Sequence, residues 1–93
     1  MSPADGNARP AISHGFRLQW EQAQNAHVML YPEGMIKLNT SAAEILRRCD
    51  GRRTLHDIVA ELESVFQKTG LEAEVAQFLG SATERGWVRM ASP

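Results

Sequence analysis

Residues of the types that catalyse reactions are few in this 93-residue chain, and their spacing does not bring them together. The single cysteine, Cys49, lies on the apolar side of a predicted helix, where a thiol packs as a small hydrophobic group. His27 begins a predicted strand, and the sequence has no H-x-x-x-H or C-x-x-C motif with the spacing of a metal site. His56 and Asp57 are neighbours on a predicted helix and point in different directions. We therefore expect no catalytic site and no metal site.

Arginines form the main basic cluster of the sequence, at the end of one predicted helix and in the turn after it. Its members are Arg47, Arg48, Arg52 and Arg53. We interpret the cluster as a solvated patch that complements the carboxyl end of a helix, and a binding surface is the alternative. The formal net charge is -1, from 10 basic and 11 acidic residues, which gives no strong field for nucleic acid or an anionic membrane.

A winged-helix DNA-binding regulator is the alternative that the helical pattern suggests. Its recognition helix would be Glu72 to Arg85, which carries three glutamates against one arginine. Because phosphate neutralisation supplies much of the affinity for DNA, a helix in the groove needs the opposite balance. We therefore expect no nucleic-acid partner.

The length of the chain predicts one domain with one small core. Residues 1–15 contain two prolines and two glycines without periodicity, which predicts a flexible N-terminal tail before a folded domain at 16–90. No run of 18 apolar residues is present, so we expect no membrane partner. The start lacks the pattern of a secretory signal and one cysteine cannot form an intrachain disulfide, which together favour the cytoplasm.

Three short segments have the pattern of strands: Phe16 to Trp20, His27 to Tyr31 and Met35 to Asn39. Short polar or proline–glycine turns join them, so the sequence predicts an antiparallel meander. In the third strand Ile36 and Leu38 share one face.

Two helices follow, each with a start signal. Ser41 and Glu44 match the pattern of a capping box for the first helix, which should end at Asp50-Gly51. Thr54, with Asp57 three residues later, should begin the second helix.

The second helix should end at Gly70, and Glu72 to Arg85 should form a third. Trp87 to Met90 then reads as a last short strand or extended segment. We predict an α+β fold that is winged helix–turn–helix-like, with a three-stranded antiparallel β meander followed by three α-helices.

An antiparallel meander leaves at least one edge with unpaired backbone groups, and Met35 to Asn39 is the candidate edge. An extended peptide could add there as a strand and lie against the third helix. Met35, Val75 and Phe78 would supply apolar contacts to it. The pattern alone is equally consistent with these residues filling the core of the domain itself.

The stretch HVMLYPEGMIKLNTSAAEILRRCDGRRTLHDIVAEL resembles the pyrroloquinoline quinone (PQQ) biosynthesis protein D family. The likeness rests on Tyr31-Pro32-Glu33-Gly34, on the Ala42-Ala43-Glu44-Ile45-Leu46 helix and on Cys49-Asp50-Gly51, with Leu38-Asn39, Arg53-Thr54 and Ile58 also in place. It extends over roughly Phe16 to Met90.

The resemblance implies a peptide chaperone without catalytic activity. It would bind the ribosomal PQQ precursor peptide and present it to the radical S-adenosylmethionine (SAM) enzyme of the pathway, the PQQ synthase called protein E. The iron–sulfur cluster and S-adenosylmethionine belong to that enzyme, so no cofactor is expected here. A recognition domain for a different modified peptide is an alternative.

In such domains the leader peptide pairs with the third strand and lies against the third helix. By position, the expected peptide-binding residues are Met35, Ile36, Lys37, Leu38, Asn39, Val75, Phe78, Leu79 and Ala82. The exposed edge also favours self-association, and a homodimer would then bury part of the meander and compete with the peptide.

Overall fold

The computed structural model describes residues 5–91. Over this range the predicted α+β class is confirmed, with a three-stranded antiparallel sheet followed by three helices. A further pair of strands joins the two ends of the described chain. The elements in order are β1 (Arg9–Ile12), β2 (Arg17–Glu21), β3 (Ala26–Tyr31), β4 (Gly34–Lys37), α1 (Thr40–Leu46), α2 (Leu55–Phe66), α3 (Glu72–Glu84) and β5 (Val88–Ala91).

The meander has the strand order β2-β3-β4, so β3 lies between the other two. A 3₁₀ turn at Gln22–Gln24 joins β2 to β3, and Asn25 closes the turn with φ 51°. The pair Tyr31 and Gly34 closes the β3–β4 hairpin, with only Pro32 and Glu33 between them. The predicted meander is confirmed, although β4 ends at Lys37 rather than at Asn39.

The predicted flexible tail is wrong over residues 5–15, and residues 1–4 lie outside the described range. Arg9–Ile12 forms β1, which pairs antiparallel with β5 in the register Arg9 to Ala91 and Ile12 to Val88. Ala8 is 0% exposed, and Pro10 is also fully buried. The folded unit therefore begins before residue 16, because a strand from the other end of the chain pairs with this segment.

The same N-terminal segment also completes the start of α2. The first amides of a helix have no partner within the helix and need an acceptor from elsewhere. The amide of Leu55 donates to the carbonyl of Ala8 (2.8 Å), and the amide of His56 donates to that of Gly6 (3.1 Å). The helix's own cap provides the acceptor for the next free amide, because the amide of Asp57 donates to the Thr54 hydroxyl (3.1 Å).

The predicted cap of α2 is confirmed, whereas the predicted cap of α1 is wrong. The Asp57 carboxylate accepts a bond from the Thr54 amide, which completes a full capping box. In α1 the cap is Asn39, whose side chain accepts from the amide of Ala42 (2.8 Å). Glu44 is instead held by arginines, and Asn39 reaches the free amides because it is the last extended residue before the helix.

The helix ends differ from the sequence prediction in two places. α1 ends at Leu46, and a turn carries the chain through Cys49 to Gly51, which has φ +78°. α2 ends at Phe66, four residues before the predicted stop at Gly70, and its C-terminal cap Gln67 is in the left-handed conformation. The amides of Gln67 and Lys68 already close the last turn of α2 on Ser64 and Glu63, so no later glycine is needed.

One hydrophobic core lies between the helices and the meander. Its fully buried side chains come from β3, α1, α2 and α3. In α2 the apolar residues at helical spacing, Leu55, Ile58, Val59 and Leu62, are all buried. Trp87 packs against the core at the end of α3, with the Arg85 guanidinium 5.4 Å from its ring centroid. This core fixes α3 and the meander relative to each other.

Candidate functional site

The outer edge of β4 has backbone groups with no partner strand among residues 5–91. The amide of Leu38 donates to the carbonyl of His27 (3.0 Å), so the backbone groups of Leu38 point towards β3. In an antiparallel ladder this direction alternates from one residue to the next. The amides and carbonyls of Met35 and Lys37 therefore point away from β3, towards the open edge.

The side chains of β4 alternate between the two faces of the sheet, also with a period of two residues. Ile36 is half-buried and Leu38 is buried, and both belong to the face that packs on the helices. Met35, which is 46% exposed, and Lys37 lie on the opposite face. The predicted division of this strand into two faces is confirmed.

An apolar groove of about 270 Å³ begins where β4 leads into α1. Thr40 and Ser41, the first residues of α1, line it together with Glu74 and Val75 of α3. The other lining residues are Ile45, Leu62, Phe66, Lys68 and Leu71. The groove therefore lies beyond the end of β4, and its lining comes from the three helices and the loop between α2 and α3.

The predicted helix residues of the site differ in how accessible they are. Val75 is 3% exposed and lines the groove, and Phe78 is half-buried. Leu79 and Ala82 are 0% and 1% exposed and pack in the core. These two residues, expected at the peptide site from the resemblance, are thus buried within the domain and inaccessible to a peptide in this structure.

Several groove residues were missed by sequence reasoning, among them Thr40, Ser41, Phe66, Lys68 and Glu74. The apolar stripes of α2 and α3 identify Phe66 and Val75 as inward-facing positions. Those stripes do not reveal that the end of α2 and the starts of α1 and α3 meet at one place. That arrangement depends on packing between elements that are distant in sequence.

The arginine cluster is mainly a structural ion-pair network rather than a solvated patch. Arg48 donates to Glu44 (2.8 Å) and to Glu61 (3.1 Å), and Arg53 donates to the other oxygen of Glu61 (2.7 Å). Glu61 thus joins the end of α1 to the loop before α2. The bond from Arg48 is the largest cause of the lowered pKa of Glu44.

Asp50 organises the loop that contains this network. Its carboxylate accepts bonds from the backbone amides of Arg53 and Arg52 (2.9 Å each) and from the guanidinium of Arg53 (3.0 Å). The amide of Arg53 is the largest cause of the lowered pKa of Asp50. The loop is therefore held by charge-assisted bonds within the domain.

The other residues of chemical interest are spread over separate places. Cys49 is buried, and desolvation raises the pKa of its thiol to about 12, so it is protonated near neutral pH. His27 lies edge-on to Trp20 with ring centroids 5.1 Å apart. His56 and Asp57 are exposed in the first turn of α2. Residues 5–91 contain no group of three or more histidine, cysteine, aspartate or glutamate side chains placed to hold a metal ion.

No helix in residues 5–91 is long and apolar enough to cross a membrane.

Comparison with known proteins identifies relatives over nearly the whole chain. Residues 26–88 match the family described as coenzyme PQQ synthesis protein D (PqqD). A protein of Azotobacter vinelandii named PqqA binding protein is 50% identical, over 97% of this chain and 99% of its own length. A protein of Methylococcus capsulatus with the same name is 51% identical, over 84% of each chain.

A solved structure has the same fold. It is the solution NMR structure of the PqqD truncation of Methylobacterium extorquens PqqCD, described as a functional, stand-alone recognition element for ribosomally synthesized and post-translationally modified peptides. It superimposes with a TM-score of 0.76 at 26% identity and covers 96% of this chain and 99% of its own. The protein therefore belongs to the coenzyme PQQ synthesis protein D (PqqD) family.

Proposed function

We propose that this protein binds a PqqA-type precursor peptide of PQQ biosynthesis by adding it as a strand to the open edge of β4. The observation that carries the proposal is the pair of outward-facing backbone units at Met35 and Lys37, next to an apolar groove. The names of the relatives support PqqA as the ligand, rather than the precursor of another modified peptide. The described recognition role of the similar M. extorquens domain supports peptide binding by this fold.

The energetics require both the edge and the groove. Met35 and Lys37 offer two donors and two acceptors, and each backbone hydrogen bond contributes about 0.5–1.5 kcal/mol net. The sum of roughly 4 kcal/mol is at the low end of the association cost of ~4–15 kcal/mol. Apolar side chains of the peptide must therefore be buried in the groove to give useful affinity. In this proposal Ile36, Leu38 and Asn39 hold the edge in place, while Val75 and Phe78 contribute from α3.

The role that follows is non-catalytic. The domain holds the peptide extended and presents it to the radical SAM enzyme of the pathway, protein E, which provides the cofactors. Strand addition suits this role because backbone bonds hold the peptide without engaging most of its side chains. The buried thiol of Cys49 has no part in it.

DNA binding, the alternative, is disfavoured by the ion-pair network. Arg47, Arg48 and Arg53 each pair with a carboxylate of this chain at 3.0 Å or less. A phosphate would have to displace those carboxylates to gain the same bonds. The acidic first turn of α3, with Glu72 and Glu74, would also repel phosphates.

A pair of substitutions at one residue tests the proposal. Met35→Pro removes an outward-facing amide and leaves the β3–β4 ladder intact, since proline is tolerated at an edge position of this kind. Met35→Ala removes the side chain and keeps the amide. We expect Met35→Pro to weaken binding of the A. vinelandii PqqA peptide at least tenfold by calorimetry, and Met35→Ala to weaken it less. Equal affinities of Met35→Pro and the natural protein, both folded by circular dichroism, would contradict strand addition at β4.

A further inference from the structure

The two lysines of the chain differ from three of the four clustered arginines in having no carboxylate partner within residues 5–91. Lys37 lies on β4, exposed, and Lys68 lines the groove. Three of the four clustered arginines are held in ion pairs that stabilise the fold. The cations that remain free for a ligand therefore include both lysines, and both lie on the proposed path of the peptide.

The geometry of β4 determines which part of an added strand meets Lys37. The backbone groups of Lys37 point to the open edge, so in an added antiparallel strand the peptide residue that bonds to them lies directly opposite Lys37. Side chains of opposite residues project from the same face of a sheet, about 5 Å apart at Cβ. The peptide side chain opposite Lys37 thus lies beside the ammonium group, on the face away from the helices. Its neighbours along the peptide project towards the helices and the groove.

The surroundings of Lys37 favour one sign of charge. On its own face the register places Val28 beside Lys37 and Gln19 beyond it, and neither is charged. The other outward-facing residue of the edge is Met35, which is apolar. A peptide carboxylate opposite Lys37 would therefore lie beside the lysine ammonium group, and no carboxylate of the sheet lies in the row formed by Lys37, Val28 and Gln19. The groove is different, because Glu74 lines it together with Lys68 and leaves it without a clear preference for charge.

We infer that Lys37 selects peptides with an acidic residue opposite it in the added strand, followed or preceded by an apolar residue directed into the groove. The inference rests on the proposed function and extends it from a binding edge to a sequence preference. Lys37 acts as a specificity residue, while the backbone supplies the bonds that any extended peptide can make.

The test compares two charge reversals that change the net charge equally. Lys37→Glu reverses the lysine at the edge, and Arg52→Glu reverses an exposed arginine in the loop between α1 and α2. With the A. vinelandii PqqA peptide at low salt, we expect Lys37→Glu to weaken binding roughly five- to tenfold, because attraction is replaced by repulsion. Arg52→Glu should change it less than twofold, and 0.5 M NaCl should reduce the effect of Lys37→Glu.

The partner residue is found by replacing each acidic residue of that peptide with lysine, one at a time. One such peptide should bind the Lys37→Glu protein better than the natural peptide does, and it should bind the unaltered protein worse. The inference is overturned if Lys37→Glu and Arg52→Glu have the same effect, or if no peptide restores binding. Proposed strand addition survives that result provided that Met35→Pro still weakens binding at least tenfold, so the two failures are distinguishable.

Discussion

At the turn between α1 and α2, Gly51 has φ +78°, and a Cβ atom there would lie 3.4 Å from the Cβ of Ala11 and 3.5 Å from that of Ala91. These distances are ordinary van der Waals contacts, so it is the left-handed conformation that favours glycine here. Gly80 is the contrasting case, because it lies inside α3 and a Cβ there would meet no atom within 4 Å. The close approach that a glycine within a helix can indicate is absent at Gly80.

We expect Gly51→Ala to lower the free energy of unfolding by about 1–2 kcal/mol, the cost of a left-handed conformation for a residue with a Cβ. Gly80→Ala should raise it by roughly 0.5–1 kcal/mol, since alanine favours the helix. Urea unfolding of both variants measures the two changes. Equal and small effects at both positions would contradict the described conformation of the turn.

Glu44 gives stability a dependence on pH. Its pKa is lowered below the ordinary value of 4.5, mainly by the bond from Arg48. A carboxylate of this kind contributes stability above its unfolded pKa, and that contribution is lost as the pH falls through the folded pKa. The free energy of unfolding should therefore be nearly constant from pH 7 to about pH 5, and it should decrease as the pH falls below the ordinary pKa of Glu44.

The Glu44→Gln variant cannot lose this contribution by protonation. Its free energy of unfolding should be lower at pH 7 and should fall less between pH 5 and pH 3 than that of the natural protein. Urea titrations at several pH values measure both slopes. Identical slopes would show that Glu44 is not coupled to the arginines in solution.

Among the elements, those whose signals are local were predicted and those that depend on distant pairing were not. Thr54 and Asp57 form their capping box from four consecutive residues, so the pattern was sufficient. Ser41 and Glu44 show the same spacing, yet it is Asn39 that caps the helix. Glu44 instead forms ion pairs with Arg48 and Arg47. The choice between these partners depends on where β4 ends, which the sequence does not specify locally.

β1 is the clearest example of an element with a distant cause. Nothing within residues 5–15 alternates like a strand. The segment becomes one by pairing with β5, and its carbonyls accept hydrogen bonds from the first amides of α2. The edge of β4 was predicted because an edge follows from strand order alone. The groove beside it depends on how three helix ends meet, and for that reason its residues were only partly found.

Two neighbouring substitutions test the role of the N-terminal segment. Ala8→Asp places a charge where the side chain is 0% exposed, and Asn7→Asp adds the same charge at an exposed position. We expect Ala8→Asp to lower the free energy of unfolding by at least about 2 kcal/mol and Asn7→Asp to change it by less than about 0.5 kcal/mol. Thermal or urea unfolding measures both. If the segment were a flexible tail, both changes would be near zero.

For the whole molecule, the two open edges of the meander differ in a way that bears on function. The backbone groups of His27 point towards β4, so those of its opposite residue Trp20 point away from β3, to the free edge of β2. At that edge the outward residues are Leu18 and Trp20, whereas at β4 they are Met35 and Lys37. Only the β4 edge leads into α1 beside the groove between α1 and α3.

A homodimer that uses the β4 edge stays a prediction, and it would compete with the peptide for the same backbone groups.

The central claim is that the peptide pairs with β4, and an NMR titration of backbone amides tests it directly. On addition of the A. vinelandii PqqA peptide, the amides of Met35 and Lys37 should show large shifts and slower hydrogen exchange, because they become hydrogen-bonded. The amides of Leu18 and Trp20, at the other edge of the same sheet, should change little. Protection of Leu18 and Trp20 with no change at Met35 and Lys37 would contradict the claim.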